Sequence, residues 1–118
     1  MRFKIPKNTD KIFWTNHSID KMRYYQLSEA RLKRVLNNPK RKELGIAPGT
    51  VAVMQPTGSK KHPTEIWLMY QVLKKSKIQT PKSKQIRIIT VWRYPAKSPI
   101  RGPIPIPPEI LEELGENN

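Results

Sequence analysis

No cysteine occurs in the 118 residues. That excludes disulfides, Cys-ligated zinc and thiol nucleophiles, and it suits a reducing compartment. Histidine is scarce as well: there are two, His17 and His62, too few for a zinc site without carboxylate help. Neither a metal nor another cofactor is therefore expected. Long apolar runs are missing. Ile66-Trp67-Leu68-Met69-Tyr70 is typical of the longest, far short of the roughly 20 residues a membrane helix needs. The start, Met1-Arg2-Phe3-Lys4-Ile5-Pro6-Lys7, is basic but no apolar stretch follows it, so it does not read as a secretory signal. The chain reads as soluble and cytoplasmic, with no membrane partner.

Acids are the other shortage. Nine Asp plus Glu face 23 Lys plus Arg, for a net charge of +14. Four of the nine (Glu109, Glu112, Glu113, Glu116) fall in the last ten residues. Residues 1–108 hold all 23 bases against Asp10, Asp20, Glu29, Glu43 and Glu65, a balance of +18. A small body this basic repels itself unless it meets a polyanion, and a phosphate backbone is the obvious counterpart. RNA is the expected partner.

The hydrophobic pattern divides the chain. Residues 1–10 read as a loose arm or weak edge strand, followed by a short apolar burst, Ile12-Phe13-Trp14. Thr15 or Asn16 can cap a helix from about His17 to Gln26, with Ile19 and Met22 on its apolar stripe. Ser28 caps a second helix, Glu29 to Asn37, buried through Leu32, Val35 and Leu36 and stopped by Asn38-Pro39. Residues 40–50, KRKELGIAPGT, read as a connection. Three strands follow: 50–55, 64–73 and 85–94, joined by basic loops into an antiparallel meander. On the last strand, simple alternation puts Arg87 and Arg93 on one side and Trp92 and Tyr94 on the other. From Pro95 prolines recur every few residues, which reads as an extended arm outside any sheet. Pro107-Pro108 then opens a short acidic helix, Glu109 to Leu114. The fold class is α+β: two N-terminal helices on a three- to four-stranded antiparallel sheet over residues 1–94. The Pro-rich arm and acidic helix fill 95–118.

Certain stretches resemble a known family. Trp14-Thr15-Asn16-His17-Ser18-Ile19-Asp20-Lys21-Met22, then Leu27-Ser28, then Val35-Leu36-Asn37-Asn38-Pro39, and finally Ile88-Ile89-Thr90-Val91-Trp92 are similar to segments of small bacterial proteins of the DUF4258 type. The resemblance covers about residues 12 to 94. It implies a fold related to the RelE/ParE-like and BrnT-like toxins, many of which are ribonucleases of toxin–antitoxin modules. Two positions depart from the pattern: Lys21 stands where Arg is usual, and Tyr25 where a second Arg is common.

The residues support the same chemistry independently. Metal-free RNA cleavage needs a base for the 2′-hydroxyl, an acid for the leaving oxygen, and cations around the pentavalent phosphate. His17 suits either proton role, and Lys21, four residues later, shares its helix face. Arg87 and Arg93 complete the expected catalytic set. Lys60 and Lys61 in one loop and Lys74, Lys75, Lys77, Lys82 and Lys84 in the other form the expected phosphate-binding surface. Trp92 and Tyr94 are the expected base-stacking rings. Gly58-Ser59-Lys60 lacks the glycine spacing and the following helix of a phosphate loop. Glu65, the sole acid of the sheet region, has no partner for carboxylate-pair chemistry. The leading expectation is a toxin-like, RNA-binding, metal-independent endoribonuclease. The alternatives are a non-catalytic nucleic-acid-binding module, or a basic domain that binds an acidic partner such as a small antitoxin. The acidic tail is expected to dock on basic surface, in its own chain or across a homo-oligomer.

Overall fold

The computed structural model describes residues 3–73 and 85–116. It is a mixed α+β structure with five strands and three helices: β1 (Ile12–Trp14), α1 (Asn16–Tyr25), α2 (Glu29–Asn37), β2 (Arg41–Leu44), β3 (Thr50–Gly58), β4 (Pro63–Leu73), β5 (Gln85–Tyr94) and α3 (Pro108–Glu116). The strand order is β1-β5-β4-β3-β2. β2 to β5 are antiparallel neighbours, as a meander requires.

The expected three- to four-stranded, wholly antiparallel sheet is corrected at both edges. The apolar burst at residues 12–14 is a strand and runs parallel to β5, with Ile12 opposite Ile86 and Trp14 opposite Ile88. The expected connection at 40–50 contains β2, whose charged sequence hid it. Its Arg41 lies opposite Met54. The Arg41 guanidinium sits 5.3 Å over the Trp67 ring and donates to Glu43 Oε1 at 3.1 Å, Ser98 Oγ at 2.9 Å and the Gly102 carbonyl at 2.7 Å. An edge strand carrying Lys42 and Glu43 also resists pairing with another chain. Pro56 falls within β3 but beyond the end of β2, on a stretch that needs no amide on that side.

Local signals account for the helices. Thr15 Oγ1 accepts from the Ser18 amide at 3.1 Å and caps α1. Gln26 closes it in the left-handed region, φ 57, a conformation that usually falls to glycine or asparagine. Ser28 Oγ accepts from the Arg31 amide at 3.1 Å and caps α2. α3 begins on Pro108, whose missing amide costs nothing in a first turn. It runs on to Glu116, two residues past the expected end.

The sheet has two buried faces. On one, Trp14, Met22, Leu27, Leu32 and Val35 pack on Val53, Ile66, Leu68, Ile88 and Val91. On the other, Ala52, Met54, Trp67, Met69 and Trp92 are covered by Ile110 of α3, with Ile104, Ile106 and Leu114 beside it. Trp67 and Trp92 lie directly opposite each other and stack, with centroids 5.7 Å apart. The arm is tied down by Glu65, buried within β4. Its Oε1 accepts from Trp67 Nε1 at 3.0 Å, and its Oε2 from the amide and hydroxyl of Ser98 at 3.1 and 3.0 Å. Ile110 is fully buried, which contributes about 1.5–3 kcal/mol toward holding α3. The arm and α3 are thus the third layer of the fold.

Candidate functional site

α1 lies beside β5 just where β1 ends. Thr15 Oγ1 donates to the Ile88 carbonyl at 2.7 Å, and α1 packs on β5 more than on any other element. The stripe at i, i+4, i+8 on α1 is His17, Lys21 and Tyr25. Its first two members meet Glu113 of α3, and Tyr25 packs against the cluster around Ile110. His17 Nδ1 is 2.9 Å from Glu113 Oε2, and Lys21 Nζ is 3.1 Å from Glu113 Oε1. One carboxylate therefore spans both side chains. His17 Nε2 meets Thr90 Oγ1 of β5 at 3.0 Å. Thr90 is fully buried, whereas the Glu113 side chain is 40% exposed and that of Lys21 15%.

These partners assign the imidazole. A carboxylate facing Nδ1 requires the proton there, so neutral His17 donates to Glu113 from Nδ1 and accepts the Thr90 hydroxyl proton at Nε2. Burial pushes the His17 pKa below 6.5. Glu113 pulls it back up, Lys21 adds to the depression, and Asp20 opposes it. The depressed value favours the neutral ring near pH 7, so this contact is a hydrogen bond to a carboxylate rather than a full ion pair. Burial also raises the Tyr25 phenol above 10.0, with further upward pushes from Glu109, Tyr24 and Glu113. The order Thr90, His17, Glu113 matches a hydrolase relay. Buried Thr90 gives an acyl carbon no approach to its hydroxyl while α3 is in place.

Beside the stripe, Tyr24 stacks on Tyr25 with centroids 4.8 Å apart, and Lys21 Nζ lies 5.6 Å from the Tyr24 ring centre. Tyr24 is 64% exposed. An open aromatic face next to a cation is what a nucleic-acid base needs. Reading the sequence for site residues missed Tyr24, although the Tyr-Tyr pair beside Lys21 signals it. It also missed Thr90 and the specific role of Glu113, which only the charge split foreshadowed.

The other expected site residues are dispersed. A register shift between Met69 and Tyr70 inserts one extra residue in β5 and reverses the alternation beyond it. Arg93, opposite Ile66, faces the α1–α2 side and reaches the Tyr25 carbonyl at the end of α1 at 3.4 Å. Arg87, opposite Gln71 and Phe13, is on the other side, exposed, 5.8 Å over the Phe13 ring. The two arginines do not share a side, contrary to the simple alternation. Among the described contacts neither reaches His17 or Lys21. Trp92 is corrected from a base-stacking ring to core: it is fully buried against Trp67. Tyr94 is half-buried against the same core. Lys60 and Lys61 are exposed in the β3–β4 turn. Lys74, Lys75, Lys77, Lys82 and Lys84 lie outside the described residues.

Among the described residues, no helix is long and apolar enough to cross a membrane. No family model, curated protein or solved structure matches this chain.

Proposed function

We propose that this chain is a toxin-like RNA-binding protein that cleaves RNA without a metal, using His17 and Lys21. The observation that carries the reading is their convergence on one anion, the Glu113 carboxylate. A seat that places an imidazole nitrogen and an ammonium about a single anionic group has one nitrogen for proton transfer and one cation for the phosphate. The +18 body supplies the long-range attraction, and Tyr24 beside Lys21 offers a base a stacking face. The reading also draws on the DUF4258 resemblance and the RelE/ParE-like arrangement it implies, for which two helices before an antiparallel meander, β2 to β5, are a rough counterpart.

With RNA in the seat and its 2′-hydroxyl, in place of an anionic oxygen, facing Nδ1, the Thr90 hydroxyl can accept instead of donate. His17 then carries its proton on Nε2 and turns the Nδ1 lone pair to the substrate. That nitrogen takes the proton of the 2′-hydroxyl as the 2′-oxygen bonds to phosphorus. Lys21 balances the charge gathering on the phosphorane and gives a proton to the 5′-oxygen as its bond to phosphorus breaks. The products are a 2′,3′-cyclic phosphate and a free 5′-hydroxyl.

Arg87 lies over Phe13 and makes no described contact with His17 or Lys21, and Arg93 is tied to the Tyr25 carbonyl; both favour a second reading. A seat with a single permanent cation suits binding more than turnover, so a non-catalytic RNA-binding module is the alternative. An acidic partner protein would use the same seat. The test is digestion of single-stranded RNA with chelator present, comparing wild type, His17→Ala and Lys21→Ala. Loss of an acid–base group costs about 10²–10⁴ in rate, so both variants should fall by that order and cyclic-phosphate ends should disappear. Intact RNA that is nevertheless bound would select the binding module. Equal residual cleavage by all three proteins would expose a contaminant.

A further inference from the structure

The seat is already filled by the protein itself. Both oxygens of Glu113 are engaged, one by His17 and one by Lys21, so the carboxylate occupies the place between them that a phosphodiester group would take. We propose that α3 is an internal ligand of this seat, a stand-in for RNA phosphate, and that RNA binds by exchanging with it. The inference rests on the RNA reading above and names how that site is regulated.

Three further observations carry it. The contact has support one turn away: Tyr25 packs against the Ile110 cluster, and Glu109 lies near enough to push its phenol pKa up. The charge is sorted accordingly: residues 109–118 hold four acids and no base, against +18 in the rest. Finally, α3 is held by apolar and polar contacts of unequal accessibility. Ile110 is fully buried, while Leu111 and Glu112 are exposed and Glu113 stands at the rim. A polyanion can therefore reach the carboxylate end of the contact without first opening the core.

The tether makes the competition intramolecular. The arm is fixed at Ser98 by Glu65 and turns at Pro99–Gly102, so α3 stays close to the seat at a high effective concentration. RNA must overcome that occupancy, and its apparent affinity is lowered by the fraction of molecules in which the seat is closed.

The test uses the full chain throughout. Wild type, Glu113→Gln, Ile110→Ser and Glu112→Gln are titrated with a fluorescent single-stranded RNA at low and at physiological salt. The two histidine signals are followed by NMR. Glu113→Gln removes the stand-in charge and Ile110→Ser loosens the helix through an apolar contact, leaving every charge in place. Both should bind RNA about tenfold tighter than wild type, within the usual range of coupling between sites, and the His17 signal should move in both before RNA is added. Glu112→Gln makes the same change in net charge away from the seat and should stay near wild type. An equal gain in Glu112→Gln and Glu113→Gln would reduce the effect to net charge and overturn the exchange. Equal tight binding by all four proteins would overturn it too, leaving the RNA reading intact. Binding by none would remove the RNA reading, and the exchange with it.

Discussion

At the scale of single residues, His17 links burial, proton and partner. Its ring is pressed between Thr90 of β5 and Glu113 of α3, with Lys21 and Asp20 on its own helix. Burial dominates and lowers its pKa from 6.5. The unfolded chain, with an ordinary imidazole, then binds the proton more readily than the folded one. Stability therefore rises with pH through this window. The contribution is present above pH 6.5 and is lost as the pH falls through the folded value. Urea unfolding at pH 7.5, 6.5 and 5.5 should show the midpoint falling with acid in wild type, and a flatter profile in His17→Asn. His62, by contrast, is exposed in the β3–β4 turn. A wild-type midpoint that climbs on acidification would mean that Glu113 outweighs burial and holds His17 charged. Glu65 shows a different use of a buried carboxyl group: it joins β4 to the arm through Trp67 and Ser98, and so fixes where α3 begins its approach.

At the scale of elements, the β3–β4 hairpin gives a sharp test of backbone demand. Gly58 has φ +83, in the region that other residues enter only with strain. A Cβ there would also collide with the His62 carbonyl oxygen. Gly58→Ala should cost at least about 1–3 kcal/mol, read as a lower urea midpoint with an unchanged slope. A neutral result would mean that the turn relaxes to another form. The elements also divide by how plainly the sequence carried them. α1, α2 and the three long strands stood out because each has a cap or an apolar period of its own. β1 and β2 did not, being three and four residues long. β2 is charged throughout except for Leu44, which is itself exposed. The bulge in β5 left no glycine or proline to mark it, yet it moved Arg87 and Arg93 to opposite sides and sent Trp92 into the second core. His17 and Lys21 were legible as a pair because helical spacing alone brings them together. Their engagement with Glu113 was not, since it depends on where some ten residues of proline-rich chain deliver a distant helix.

At the scale of the whole molecule, charge sets two salt dependences of opposite sign. The body at +18 and the tail at −4 leave a net +14, so the folded chain carries far more like-charge repulsion than its ion pairs can offset. The ion pairs among the described residues, Lys33–Glu29, Arg41–Glu43 and Lys21–Glu113, are partly exposed, and pairs of that kind are worth about 0–1 kcal/mol each. Raising sodium chloride from about 10 mM to 150 mM shortens the screening length from about 30 Å to about 8 Å. Repulsion across a small domain is then largely removed, while contacts near 3 Å lose less. The free protein should accordingly melt at a higher temperature in the saltier buffer. On the proposed RNA-binding reading, RNA affinity should fall over the same range, with a log–log slope of about −0.7 per phosphate neutralised on a single strand. Chloride is the right anion for the melting series, because phosphate or sulfate could enter the His17–Lys21 seat and stabilise the fold by binding. A melting temperature that drops as chloride rises would show that the ion pairs, chiefly Lys21–Glu113, outweigh the repulsion. α3 would then be held by charge more than by Ile110, and it would loosen in the same salt that weakens its RNA competitor.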